Sequence, residues 1–275
     1  LIATGALLKL LFAISMGWTG WAYYVEGAAS AGPEQPIPFS HRLHVTDKDI
    51  DCRFCHTGVD RVHQAGLPPS QTCMYCHADV ASAESVQDAV DKTIEAFGSI
   101  HVAINCAGVA TPAKVLGKNG PIELDVFNRV VQINLVGTLN VIRLAAARMV
   151  ENIPNEDGEK GVVINTASGA AFEGQIGQAA YSASKAGVVG MTLPIAREFA
   201  DYGIRVVTRA PGLFRTPMLE SLPEKVQTAL GQMVPFPKRL GEPWEFARLA
   251  RDIVENPMMN GETIRLDGAI RLAAK

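Results

Sequence analysis

The sequence predicts an α/β protein, a doubly wound parallel sheet with helices on both faces, preceded by an apolar segment and a cysteine-bearing segment. Three observations carry this. Beyond Ala78, short apolar runs of strand length alternate with stretches of helical periodicity. A hydrophobic content of 48% and a charged content of 19% in 275 residues supply ample material for a core. The first 77 residues show no such alternation. No internal repeat is visible, and a net charge of -3 without a basic face argues against nucleic acid as a partner.

The first element is the apolar stretch from Leu10 to Val25. Counted from Leu1 and tolerating Lys9, it approaches the ~20 residues that cross a bilayer, with Trp18, Trp21, Tyr23 and Tyr24 placed to form an interfacial belt. Residues 1–27 therefore read as a membrane anchor through residues 1–25, with Lys9 placing the N-terminus inside and the rest facing the periplasm. The alternatives are an uncleaved signal peptide, since Ala28 to Ala31 are small, and a buried core helix. Ala28 to Pro38, rich in small residues and proline, suits an extended linker.

Residues 28–77 carry two Cys-x-x-Cys-His motifs, Cys52 to His56 and Cys73 to His77. Both cysteines of such a motif can bind a c-type haem covalently while the histidine ligates the iron. His41 and His44, three apart, would share one face of a helical turn and could supply the opposite axial ligands; His63 is a further candidate. A four-cysteine zinc ribbon is the alternative for paired Cys-x-x-Cys, although histidine directly after both pairs favours haem. Together with the Phe39-Ser40-His41-Arg42-Leu43-His44 run, these motifs resemble the membrane-anchored multihaem cytochromes of the c7/c3 type. The resemblance implies two haem c groups on Cys52, Cys55, Cys73 and Cys76, with His56, His77, His41 and His44 on the irons, provided the chain is exported. It stops at His77.

From there the elements follow in order: a helix over Ser82–Phe97, a strand over Ile100–Val109 and a long helix over Leu124–Val150. A strand over Gly161–Ala167, a helix over Tyr181–Tyr202 and a strand over Ile204–Arg209 continue the alternation. Two short helices between Leu219 and Glu255 and a last strand over Thr263–Leu266 complete it. Tyr181 and Lys185 are four apart on one helix and so face one cleft, where the ammonium favours the phenolate that proton exchange requires. Ser168, thirteen residues before the tyrosine and at the end of its strand, can hold a substrate oxygen by hydrogen bonding.

This set resembles the short-chain dehydrogenase/reductase family, whose fourth catalytic member Asn134 matches as the residue that positions a relay water. The family further implies an NAD site. Asp79-Val80 would meet the adenine, and Asn105-Cys106-Ala107-Gly108 would form the turn beside the adenine ribose, through Asn105, Ala107 and Gly108. Tyr181 and Lys185 would also contact the cofactor, and Pro211-Gly212 with Thr216 would hold the nicotinamide carboxamide. Cys106 reads as a buried structural residue in an apolar run, and Arg215 departs from the small residue the family pattern carries. The segments Ala171 to Gln178, Met191 to Arg197, Val234 to Pro237 and Asn260 to Gly268 resemble the type-2 3-hydroxyacyl-CoA dehydrogenases. That implies oxidation of an acyl-CoA or steroid-like secondary alcohol by a homo-oligomer, cytoplasmic for this part alone.

The family's opening strand, Gly-rich turn and helix have no match in this chain, nor does the acidic residue that selects NAD. The implied fold is thus a truncated Rossmann-like sheet. With the family's strand order 3-2-1-4-5-6-7, the strand Ile100–Val109 becomes an apolar edge, and NAD binding is expected to be weak. The junction at His77-Ala78-Asp79-Val80 lacks linker composition, so a dehydrogenase with a replaced cofactor half, a dihaem electron carrier with a derived tail and a chimeric join of two fragments all remain open.

Overall fold

The computed structural model describes residues 79–216, 219 and 223–274. The described residues lie within one compact unit, Met74–Lys275. The expectations for residues 1–77, including the anchor and the haem ligands Cys52, Cys55, Cys73, Cys76, His41, His44, His56 and His77, lie outside them.

Helix α1, Ala83–Phe97, begins where Ser82 accepts a hydrogen bond from the Ser85 amide and ends at Gly98, whose φ of 79° closes the last turn. Val86 and Val90, four apart, are buried. Strand β1, Val102–Asn105, follows, and then a small hairpin of β2, Leu116–Gly117, and β3, Gly120–Pro121. The expected long helix is α2, Leu124–Val131, and α3, Gly137–Met149, joined without a break by a π-helical turn, Gln132–Val136. Within this run of 26 residues an 18-residue window has a mean hydropathy of 1.5, enough to cross a membrane by length and composition. Here, however, Val130, Ile142, Ala145, Ala146 and Met149 are buried, most of them in the core shared with the sheet.

Strand β4, Gly161–Thr166, leads through the 3-10 turn Gly169–Ala171 to helix α4, Ala179–Phe199, which contains Pro194. Strand β5 runs from Ile204 to Pro211, two residues beyond the expected end, and β1, with 4 residues, is less than half the expected length. Helices α5, Glu224–Gln232, and α6, Pro243–Glu255, precede β6, Thr263–Leu266.

The main sheet has the order β1-β4-β5-β6, all parallel. Strands β4 and β5 are buried along almost their whole length, as central parallel strands covered on both faces must be. On one face Ala103, Val163 and Val206 pack with α1, α3 and α4; on the other Val162, Ile164 and Val207 pack under Ala250 and Ile253 of α6. Strands β1 and β6 are the edges among the described residues. The exposed face lies at β1. Its Val102 and Ile104 are paired in register with Val162 and Ile164, yet they stand 40% and 46% exposed because α6 does not extend over them.

Arg205 fastens α6 to the sheet. Its guanidinium donates to the carbonyls of Ile253, Val254, Asn256 and Met259 and pairs with Glu159 at 2.9 Å, satisfying the otherwise open end of the helix.

Candidate active site

The carboxyl ends of β1, β4 and β5 converge where ligands enter an open α/β sheet. The chain leaves β1 at Asn105, which is buried and donates to Asn165 Oδ1 of β4 at 2.8 Å. Four residues on, Val109 is clasped by Asn134: the Val109 amide donates to Oδ1 at 2.8 Å and Nδ2 donates to the Val109 carbonyl at 2.9 Å. Asn134 Nδ2 also reaches Ser184 Oγ of α4 at 3.0 Å. The π-helical turn produces this arrangement, since the extra residue in the turn rotates Asn134 toward the β1 loop and α4.

Lys185, 4% exposed, donates from Nζ to the Thr166 carbonyl at 2.7 Å, and its Nζ lies 5.9 Å from the Tyr181 ring centroid. Burial lowers its pKa to about 8, partly offset by the nearby Cys106. Gly108 completes the wall. A Cβ there would sit 3.3 Å from both Asn134 Oδ1 and Lys185 Nζ, so a larger residue would press on both side chains. Ser168, half-buried at the end of β4, accepts a hydrogen bond from the Ala170 amide at 3.1 Å and caps the turn that follows. Tyr181 is half-buried in the first turn of α4.

Asn134, Lys185 and Gly108 therefore meet, with Tyr181 beside the lysine. Asp79 and Val80 do something local: the Asp79 carboxylate accepts from Ala81 N, and the Val80 carbonyl accepts from Asn140 Nδ2, which ties the start of α1 to α3. Ala107 is exposed. Gly212 closes β5 onto β6 through its amide and the Leu266 carbonyl, and any Cβ would strike Asp267 at 2.7 Å. Thr216 is exposed, and Arg215 is engaged by Glu242 at 3.3 Å. One expectation is corrected: Cys106 is exposed, because among the described residues none covers the face of the sheet onto which it projects at β1.

Three supports are not legible in local sequence patterns. Ser184 anchors Asn134, the Thr166 carbonyl anchors Lys185, and Arg265 of β6 holds Glu173 by two hydrogen bonds of 2.7 and 2.8 Å. That last pair, with Arg265 5.0 Å from the Phe172 ring, braces the segment that joins Ser168 to Tyr181.

The family profile described as short chain dehydrogenase matches residues 47–227. The chain belongs to the short-chain dehydrogenase family. It is 57% identical over 204 residues to the 3-hydroxyacyl-CoA dehydrogenase type-2 of Mus musculus, covering 74% of this chain and 78% of that protein. The human 3-hydroxyacyl-CoA dehydrogenase type-2 is 58% identical over 202 residues, 73% of this chain and 77% of that one. The crystal structure of 3-hydroxyacyl-CoA dehydrogenase type-2 from Mycobacterium avium superposes with a TM-score of 0.68 at 40% identity, over 72% of this chain and 77% of the other. Short-chain dehydrogenases are NAD(H)-linked oxidoreductases.

Proposed function

We propose that this short-chain dehydrogenase oxidises the secondary alcohol of a 3-hydroxyacyl-CoA, reversibly and with NAD. The observation that carries the substrate class is the identity of more than half the residues with the type-2 3-hydroxyacyl-CoA dehydrogenases over their shared length. A nicotinamide nucleotide fits the residues present. Gly108 leaves the backbone bare beside Lys185, and Lys185 spends one of its three protons on Thr166, leaving donors for ribose hydroxyls. Asn105, Ala107, Gly108, Pro211, Gly212 and Thr216 would line the rest, with Asp79 and Val80 toward the adenine. The Gly-rich pyrophosphate turn has no match in this sequence, so affinity for NAD is expected to be low.

When bound, the nicotinamide supplies the hydride acceptor. Tyr181 exchanges a proton with the substrate oxygen, and the Lys185 cation stabilises the phenolate left behind. Ser168 orients the substrate oxygen. The Asn134 side chain is spent on Val109 and Ser184, so its part in the relay is to hold the loop and α4 at a fixed spacing. The decisive experiment is NAD reduction with 3-hydroxybutyryl-CoA, wild type against Tyr181→Phe. Turnover lost in the variant supports the assignment; equal rates overturn it.

For residues 1–77 we propose a membrane anchor through residues 1–25 and covalent haem on Cys52, Cys55, Cys73 and Cys76. The doubled Cys-x-x-Cys-His spacing supports this. Export with a c-type maturation system followed by a pyridine haemochrome spectrum tests it, and a haem-free exported protein overturns it. The dehydrogenase part would assemble as a homo-oligomer, which sedimentation of the intact chain checks.

A further inference from the structure

On the α6 face, the last row of side chains across the sheet is polar. In register, Thr166 of β4 lies beside Arg209 of β5, and Cys106 continues the β1 face of Val102 and Ile104. Arg209 is 1% exposed, its guanidinium lies 3.8 Å from the Phe246 ring centroid, and Nη1 donates to the Phe246 carbonyl at 3.1 Å. Among the described residues no carboxylate pairs with it, and its Nε is buried without a hydrogen-bond partner. A cation this buried is costly without an anion.

The acceptors its Nη2 does find are Thr166 Oγ1 at 3.5 Å and Cys106 Sγ at 3.8 Å, and the Thr166 hydroxyl also points at that sulfur, at 3.9 Å. Burial pushes the Arg209 guanidinium below its ordinary value and the neighbouring sulfur pushes back; the same sulfur acts on Lys185. Cys106 is thus an exposed residue whose sulfur lies 3.8 Å from Nη2 of a buried guanidinium that has no carboxylate partner among the described residues. A positive group so placed stabilises the negative charge of an attacking sulfur and attracts electrophiles that are themselves anionic.

We propose that Cys106 is a covalent modification site that adds to anionic α,β-unsaturated carbonyl compounds, with Arg209 as the residue that activates it. The Sγ–C bond forms at the β-carbon, the C=C electron pair moves onto the carbonyl oxygen as an enolate, and the α-carbon then takes up the proton given up by the thiol. No oxidant or reductant enters. The guanidinium serves both the sulfur and the enolate oxygen.

The test uses the full chain, N-ethylmaleimide as the neutral acceptor and 3-maleimidopropionate as the anionic one, with β-mercaptoethanol as the reference thiol. Alkylation is followed at the Cys106 peptide by mass spectrometry. At low ionic strength the anionic-to-neutral rate ratio at Cys106 should exceed that of the reference thiol several-fold, and the excess should collapse at high salt. Arg209→Met should slow Cys106 alkylation about tenfold while β-sheet circular dichroism is retained. A folded variant reacting as fast as wild type overturns the proposal. Where the variant does not fold, the wild-type ratio decides, and a ratio no greater than that of the reference thiol overturns the proposal as well.

Discussion

Asn134 and Val109 grip each other through two hydrogen bonds, amide to Oδ1 at 2.8 Å and Nδ2 to carbonyl at 2.9 Å, as though the side chain were a neighbouring strand. A third bond, from Nδ2 to Ser184 Oγ, makes the same side chain a bridge between the β1 loop and α4. Asn134→Ala should therefore cost about 3 kcal/mol in stability, since it strands buried partners on both sides. Urea unfolding followed by circular dichroism measures this, and a cost under about 1 kcal/mol would show that the loop is held by other contacts.

Lys185 has its folded pKa depressed, from 10.5 to about 8, chiefly by desolvation. The unfolded chain therefore binds more protons between about pH 8 and 10.5, and stability rises with pH through that window. Relative to Lys185→Met, which has no such titration, the wild type should gain about 3 kcal/mol on crossing it. Catalysis should move the other way, falling above about pH 8 as the cation that stabilises the Tyr181 phenolate is lost. A stability difference independent of pH would exclude a buried, titrating lysine.

At Gly108 a methyl group would arrive 3.3 Å from Asn134 Oδ1 and Lys185 Nζ. Gly108→Ala should raise the KM for NAD about tenfold and also lower the melting temperature, because the crowding falls on the buried Asn134 and Lys185. Steady-state kinetics at saturating substrate check it. An unchanged KM would place the nucleotide elsewhere.

Strand β1 alternates between buried Ala103 and the exposed Val102 and Ile104. Ile104→Lys should leave the melting temperature within a few degrees and reduce self-association seen by light scattering, as a charge on an apolar edge blocks strand addition. Ala103→Lys, on the packed face, should unfold the unit. Increased scattering from Ile104→Lys would mean that this strand is covered in solution.

Elements with end signals were legible: Ser82 and Gly98 bracket α1, and β6 falls on Thr263–Leu266 as expected. The juxtaposition of Tyr181 and Lys185 was legible too, because four residues on a helix fix a shared face. What local pattern could not show depends on remote partners. The β2–β3 hairpin is too short for periodicity, and the π-helical turn adds one residue inside a run that reads as uniform helix. The strand Ile100–Val109 was read too long because Val109 leaves the sheet to meet Asn134. Arg209 looks like a strand end until Phe246, far along the chain, closes over it, and the exposure of Cys106 follows from a face that no described residue covers at β1.

The four carbonyls gathered by Arg205 belong to a segment ending at Met259, more than fifty residues downstream. A chain still emerging from the ribosome holds β5 well before α6 exists, and during that interval Arg205 has no helix end to neutralise. The central strand should thus remain unlocked until synthesis is nearly finished. A truncation before Ile253 would leave Arg205 inside the sheet with Glu159 as its partner and none of the four carbonyls, and quality-control proteases would meet a product whose last helix cannot dock.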